Sequence, residues 1–303
     1  MHADDDVIRA AGSVALESEA VRIQVNSGLG GKILSLFDIE KGCEWLIQKP
    51  AGSAPAPAEG EDFHRCCMFG WEEMFPTLLA CLYPGPGKYL RKPLHDHGEL
   101  WFTDCELAHT SHSIIQRYAC RTYNMIFNRV IRFIGSRTVE LSYQVENRES
   151  ERLYYFWAPH PFFRVQAGDA VVFPNTVRKA INALADEEFG AAGNEIDWRG
   201  KEIQGPAFKR RRKLFWTPGQ GGSFAAIASE KNGRFLRLSW NEKENPFFSC
   251  IIDEGHSHDE ARVSFEPMNG MFDTLEAAYR NGSAKYVDPG ERQAWKLTLE
   301  IGS

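Results

Sequence analysis

The sequence predicts an all-β protein made of many short antiparallel strands. In residues 139–146 and 295–301, apolar side chains occupy every second position, the pattern of a strand with one buried and one solvated face. An Asn-Gly pair at 232–233 stands between two apolar runs and predicts a hairpin. Helix is scarce, because only residues 273–280 predict a short helix, with a capping-box spacing that begins at Asp273.

Other segments continue the strand pattern and are separated by turn residues. Residues 153–163 are apolar at both even and odd positions, so they should be buried on both faces of a layered structure. Residues 51–61 are rich in Ala, Pro and Gly without periodicity, and predict a mobile surface loop near a cleft. The remaining predicted strands are 14–17, 21–25, 33–39 and 123–133, with a glycine turn at 28–31.

Length and composition predict one large domain. The chain has 303 residues, and all-β chains often exceed 200 residues as one unit. No Pro/Ser-rich linker divides the sequence, and no repeat of 20–50 residues indicates a propeller. We therefore expect a single domain over residues 1–303.

Charge, cysteines and termini restrict the partners and the compartment. The net charge of −6 gives no general attraction to nucleic acid or to anionic membranes. Seven cysteines, an odd number without a CxxC pair, argue against a disulfide framework or zinc ribbon. Residues 1–6 are acidic and lack the apolar run of a signal peptide, and no segment approaches 18 consecutive apolar residues. We expect a cytoplasmic protein.

The first candidate site segment is residues 94–101. If this chain is extended, His95, His97, Glu99 and Trp101 share one face, which places two imidazoles and a carboxylate beside an indole. An exposed polar strand edge is the alternative. His95-x-His97 and the later His-x-His at 256–258 also have metal-ligand spacing, although the cupin pattern fails, so a metal site stays open.

Two further segments carry isolated ionisable groups in apolar surroundings. His160 lies between Pro159 and Pro161, where a strand must end, bulge or lie at an edge, and bulges often direct side chains into active sites. The alternative is a histidine of the core. Glu266 precedes Pro267 at a strand end, which suits a general base facing a cleft, with a surface carboxylate as the alternative.

A basic run covers residues 209–213. A solvated loop or strand edge is its ordinary interpretation, and a phosphate subsite is the alternative of interest. The acidic total charge does not support a nucleic-acid patch or a nuclear signal.

Taken together and in order, these segments resemble the aldose 1-epimerase (galactose mutarotase-like) family, in its divergent bacterial branch. The resemblance covers most of the chain and implies a large antiparallel β-sandwich, often called a supersandwich, with a sugar cleft on one concave sheet and a few short helices. The matching segments are residues 30–36, residues 70–77, residues 96–100, His160, Glu266-Pro267 followed by Asp273, and residues 288–291 followed by Trp295.

The resemblance implies a cofactor-independent isomerase that interconverts the α and β anomers of a free sugar. Glu266 matches the family's base, His160 the acid and His97 the second histidine, and no metal is expected. The expected further substrate contacts are Trp71, Glu73 and Trp240, with core packing as the alternative for either tryptophan.

The expected partner is a small-molecule sugar, and the expected state is a monomer or homodimer. Three other functions stay open from the sequence. They are a non-catalytic sugar-binding module on the same fold, a hexose-phosphate mutarotase, and a metal-dependent β-barrel enzyme that uses His95, His97 and Glu99.

Overall fold

The computed structural model describes residues 7–49, 57–198 and 200–302, so most of the predicted loop 51–61 and the acidic residues 1–6 lie outside the described part. The chain is dominated by antiparallel strands. In chain order they are β1 (Ile8–Ala10), β2 (Ser13–Glu17), β3 (Val21–Asn26), β4 (Lys32–Asp38), β5 (Cys43–Glu44), β6 (Trp71–Met74), β7 (Cys81–Leu82), β8 (Pro93–Leu94), β9 (Glu106–His109), β10 (Ser113–Ala119), β11 (Met125–Gly135), β12 (Thr138–Asn147), β13 (Leu153–Tyr155), β14 (Ala158–Pro161), β15 (Phe163–Arg164), β16 (Ala170–Val172), β17 (Lys179–Asn182), β18 (Glu195–Asp197), β19 (Lys201–Glu202), β20 (Arg210–Trp216), β21 (Phe224–Ser229), β22 (Arg234–Trp240), β23 (Phe247–Glu254), β24 (Ala261–Met268), β25 (Lys285–Val287) and β26 (Arg292–Ile301).

The described helices are few and short, so the prediction of an all-β fold is confirmed. They are α1 (Phe63–Cys66), α2 (Leu275–Arg280) and the 3₁₀ turns Ser27–Leu29, Leu100–Phe102 and Pro206–Phe208. None of the helices in the described residues has the length and apolar character needed to cross a membrane. The predicted cap of α2 is wrong by one residue, because Thr274, not Asp273, accepts the backbone N–H of Ala277.

A ten-stranded sheet forms the back of the sandwich. Its strand order is β1-β9-β10-β11-β12-β26-β22-β21-β16-β19. In β12 every second residue is buried, as the alternation in the sequence predicts. The hairpin predicted at Asn232-Gly233 is present, because β21 and β22 pair antiparallel around it.

Two six-stranded sheets form the rest of the sandwich and position the cavity described below. One has the order β14-β6-β4-β3-β2, with β5 also paired to β4, and the other has the order β15-β24-β23-β20-β17-β18. Every residue of β24 is buried, so this strand has protein on both faces. Two small two-stranded sheets, β13-β25 and β7-β8, complete the fold.

The apolar segment 153–163 joins the layers. Its strands β13, β14 and β15 belong to three different sheets, and nearly all of its residues are buried, as predicted. Pro159 and Pro161 are accommodated because β14 lies at the edge of its sheet, where a strand can lack ladder donors.

Aromatic packing connects this segment to the large sheet. Tyr143 on β12 stacks on Trp295 on β26 with ring centroids 5.6 Å apart. Trp157 lies 4.7 Å from Tyr143 and 4.8 Å from Trp295. These contacts hold the strand that follows Trp157, and with it His160, at a fixed depth in the sandwich.

Candidate active site

A cavity of about 280 Å³ lies between the β20-β23-β24 face and the chain segments that carry His97 and His160. Its volume is close to the lower end of the range typical of small-molecule sites. The lining residues are His64, Met68, Leu78, Leu79, His97, His160, Phe162, Leu184, Arg211, Lys213, Ile251, Asp253, Arg262, Ser264 and Asp273.

Glu266 lies on β24, two residues after Ser264 of the cavity wall, and is fully buried, so it lies behind the lining residues. Neither oxygen of its carboxylate accepts a hydrogen bond from any described residue. Burial raises the pKa of Glu266, while Lys213 and the hydroxyls of Ser249 and Ser264 act in the opposite direction. Nearby Asp273 adds to the rise. A buried carboxyl group whose oxygens lack a direct hydrogen bond is costly for folding, which marks it as a candidate for catalysis.

His160 faces Glu266 from the edge strand β14. The Nε2 atom of its ring lies 3.7 Å from Glu266 Oε1, and its Nδ1 atom lies 3.0 Å from Glu72 Oε1. Burial lowers the pKa of His160 well below 6.5, and the neighbouring basic side chains of His97, Lys213, Lys32 and Arg262 lower it further. A carboxylate at Nδ1 selects the tautomer with its proton there, which leaves the Nε2 lone pair facing Glu266.

Glu72 and Lys32 orient His160, and the sequence-based prediction missed both. Glu72 is directly opposite His160 in the β14-β6 ladder. The Nζ atom of Lys32 forms a buried ion pair with Glu72 and donates to the carbonyls of Cys67 at 2.7 Å and Phe69 at 3.1 Å. Burial raises the pKa of Glu72, and Lys32 opposes that rise. The adjacent carboxylates of Glu72 and Glu73, in an apolar run, were the available signal.

His97 lies in a turn with a left-handed backbone (φ 57°). Its ring stacks on Phe63 with centroids 3.7 Å apart, and its centroid is 5.2 Å from that of His160. The Nδ1 atom is 2.9 Å from Asp96 Oδ2, and hydrogen bonding to His97 keeps the pKa of Asp96 below its usual value despite partial burial.

The prediction that His95, His97, Glu99 and Trp101 share one extended face is wrong. The chain turns at His97 and Gly98 and then forms the 3₁₀ turn Leu100–Phe102. His95 faces outward and lies 3.2 Å from Glu59. Glu99 is buried elsewhere, where it accepts the backbone N–H groups of Arg121 and Thr122.

The described residues contain no group of three or more His, Cys, Asp or Glu side chains that could hold a metal ion. His95 and Glu99, the expected companions of His97 in a metal site, both have other partners.

The charged wall of the cavity comes from the basic run at 209–213, together with residues missed by the sequence-based prediction. Lys213 Nζ lies 2.5 Å from Asp273 Oδ1, and both line the cavity. Arg262 Nη2 lies 3.1 Å from Asp253 Oδ2, and Arg211 lines the same wall. Because strand residues alternate, Arg211 and Lys213 point into the cavity while the residue between them points away.

Trp71, Glu73 and Trp240 are not among the described residues that line this cavity. Trp71 is buried with its ring edge against Phe163. Trp240 stacks on Phe248 at a centroid distance of 5.1 Å and lines a separate cavity of about 140 Å³.

Glu73 lies in the core, on the opposite face of β6 from Glu72. Its oxygens accept from Arg129 at 2.6 Å, Tyr143 at 3.1 Å and Trp157 at 2.9 Å. Burial raises the pKa of Glu73, and these three donors oppose the rise.

The fold is the galactose mutarotase-like β-sandwich, so the resemblance predicted from the sequence is confirmed at the level of the fold. No protein-family pattern matches the chain, and no curated protein matches it in sequence. Similarity is found among solved structures.

A galactose mutarotase-related enzyme from Lactobacillus acidophilus superposes with a TM-score of 0.72 at 16% identity, covering 96% of this chain and 97% of the other. A candidate aldose 1-epimerase from Escherichia coli K12 gives a TM-score of 0.69 at 13% identity, covering 96% and 99%. A galactose mutarotase-like protein from Clostridium acetobutylicum gives 0.65 at 13% identity, covering 99% of each chain.

Proposed function

We propose that this protein is an aldose 1-epimerase, which interconverts the α and β anomers of a sugar through the open-chain aldehyde. One observation carries the proposal. The buried carboxylate of Glu266 has no hydrogen-bond partner among the described residues and lies 3.7 Å from the free Nε2 of His160, beside a cavity of sugar size. The names of the similar structures, which include a galactose mutarotase-related enzyme, support the same reaction.

Ring opening needs a base and an acid at the same time. A base takes the proton from the C1 hydroxyl, an acid protonates the ring oxygen, and the C1–ring oxygen bond breaks as the aldehyde forms. Rotation about C1–C2 followed by closure in reverse gives the other anomer. Each positioned proton-transfer group typically contributes ~10²–10⁴-fold.

Glu266 and His160 supply this pair when they hold one proton between them. In the opening step Glu266 takes the C1 proton and His160 donates to the ring oxygen, and in closure each reverses its role. Burial raises the pKa of the Glu266 carboxyl and lowers that of the His160 imidazole, so the two groups compete for this proton. The same pair can therefore begin the reaction from either side, with His160 Nε2 as base and Glu266 as acid.

His97 is the third member of the site. Asp96 occupies Nδ1 of its ring, so Nε2 is left for the substrate. Phe63 holds the ring in place by stacking, and the ring lies beside that of His160. We assign His97 a hydrogen bond to the ring-oxygen region, where it stabilises charge that develops in the transition state.

Polarimetry tests the activity. Freshly dissolved α-anomers of a panel of free, phosphorylated and acidic aldoses should relax faster with protein than without it, and Glu266→Gln should lose the acceleration. If sugars bind in calorimetry but no aldose relaxes faster, the protein is a sugar-binding module and the epimerase proposal fails.

A further inference from the structure

The cavity contains a positive charge that the proposed reaction does not use. Arg211, Asp253 and Arg262 lie side by side on β20, β23 and β24, because the ladders place Asp253 opposite each arginine. All three line the cavity. The row holds two guanidinium groups and one carboxylate, and that carboxylate pairs with Arg262, which leaves an excess of one positive charge.

Asp253 is already saturated by other donors. Its Oδ2 atom accepts from Arg262 at 3.1 Å, and its Oδ1 atom accepts from the backbone N–H groups of His256 at 2.8 Å and Ser257 at 3.3 Å. Arg262 is in turn fixed by the Met68 carbonyl and by the ring of Phe162, whose centroid is 5.0 Å from its guanidinium carbon. This row is therefore built and rigid before any ligand arrives.

Arg211 has no carboxylate of its own. The neighbouring acids are engaged, since Asp273 pairs with Lys213 and Asp186 pairs with Arg210. No described residue forms an ion pair or hydrogen bond with the side chain of Arg211, and its buried Nε is unpartnered. Burial lowers the pKa of Arg262, and the positive charge of the nearby Arg211 lowers it further. A bound anion would relieve this repulsion.

Arg262, Ser264 and Glu266 form one row along β24. Arg262 and Glu266 both lie on β24 and point to the same face, four residues or roughly 13 Å apart along the strand. Ser264 lies between them on the same face and lines the cavity. A pyranose with its anomeric carbon at Glu266 would direct an exocyclic group on the ring towards the arginines.

We propose that the substrate is an anionic aldose, whose carboxylate or phosphate is bound by Arg211 together with Arg262. This inference rests on the proposed function and specifies its substrate class. Arginine is suited to the role, because its planar fork binds carboxylate and phosphate oxygens in pairs.

The test compares glucose, glucuronate and glucose 6-phosphate, with the galactose series in parallel. Binding is measured by calorimetry and anomer exchange by NMR, for wild type, Arg211→Gln and Arg211→Lys. Arg210→Gln is the matched control, because it removes the same charge from the adjacent residue, outside the sugar cavity. Circular dichroism establishes that each variant is folded.

We expect Arg211→Gln to weaken binding of one or both anionic sugars by about 10- to 100-fold and to change neutral glucose by less than about threefold. Arg211→Lys should be intermediate, and Arg210→Gln should resemble wild type. Preference for glucuronate or for glucose 6-phosphate identifies the anion as carboxylate or phosphate. Equal binding of neutral and anionic sugars, or equal loss for both in Arg211→Gln, overturns the inference.

The two proposals can fail separately. Anionic sugars that bind through Arg211 without faster exchange would contradict the epimerase and support the subsite. Fast exchange of neutral glucose that is indifferent to Arg211 would support the epimerase and contradict the subsite.

Discussion

At the scale of single residues, the site contains a group that the fold would be more stable without. Glu266 is fully buried and has no hydrogen-bond partner among the described residues. Its raised pKa means that the folded protein binds its proton more tightly than the unfolded chain does. This proton binding stabilises the folded protein at pH values below the pKa that Glu266 has in the unfolded chain. The stabilisation is lost as pH rises through the higher pKa that Glu266 has in the folded protein.

We therefore predict that Glu266→Gln is more stable than wild type at neutral pH by about 1–3 kcal/mol, because the amide needs neither a buried charge nor the uptake of a proton on folding. The difference should shrink towards pH 4, where both side chains are neutral. Urea unfolding across this pH range measures it, with Glu300→Gln on the exposed side of β26 as control. A variant less stable than wild type at pH 7 would show that Glu266 has a stabilising partner.

The pH dependence of activity follows from the same pair. The productive form holds one proton, so activity falls as pH rises through the raised pKa of Glu266 and as pH drops through the lowered pKa of His160. We predict that kcat/KM stays high well below pH 6.5, where an exposed histidine would already be protonated. A loss of kcat/KM on the acid side of the pH profile, centred near pH 6.5, would contradict the shared proton.

At the scale of elements, His160 is positioned by sheet register. Lys32, Glu72 and His160 lie on β4, β6 and β14, three neighbouring strands of one sheet, and their side chains form one continuous chain of contacts. The orientation of the imidazole therefore depends on a lysine two strands away.

Lys32→Met should leave Glu72 as a buried carboxylate without a cation, at a cost of about 3–5 kcal/mol in unfolding free energy. We expect kcat to fall about tenfold or more as His160 loses its fixed orientation. The double variant Lys32→Met/Glu72→Gln should recover stability without recovering kcat. Recovery of both would mean that the pair has only a structural role.

At the scale of the whole molecule, a buried ionic cluster connects the large sheet to the sheet that carries His160. Arg129 on β11 contacts Glu73 at 2.6 Å, Gln116 at 2.7 Å and the Gly31 carbonyl at 2.6 Å. Gly31 has a positive φ, and a Cβ there would lie 2.0 Å from the hydroxyl of Tyr118, so close packing requires glycine.

Arg129→Met should destabilise the protein by about 3–5 kcal/mol, because Glu73 would stay buried without its cation. Arg132→Met, on the same strand but paired with Glu140 near the surface, should change stability by no more than about 1 kcal/mol. Thermal and urea unfolding measure both. If Arg129→Met changed stability as little as Arg132→Met, Glu73 would have to be solvated or protonated in the folded protein.

Local patterns in the sequence predicted the strands well, because alternation and the Asn-Gly pair act over a few residues. The flanking prolines predict His160 as a site residue and Pro267 predicts Glu266, and the structure places the two side chains 3.7 Å apart. The geometry around His97 was not predictable, since its backbone turns left-handed instead of continuing extended.

Local sequence patterns could not predict the contact partners of these groups either. Glu72 and Lys32 are 40 residues apart in sequence and meet only through strand pairing. Glu73, like Glu72, is a carboxylate within an apolar run, but it faces the core. Only the three-dimensional structure separates the roles of the two residues.

The most direct test of the account is proton exchange NMR between anomeric signals, with wild type, Glu266→Gln and Glu300→Gln at equal concentration. We predict fast exchange in wild type and Glu300→Gln, and a loss of ~10²–10⁴-fold in folded Glu266→Gln. Exchange in Glu266→Gln equal to that in wild type would contradict the assignment of Glu266 and His160 as the acid–base pair.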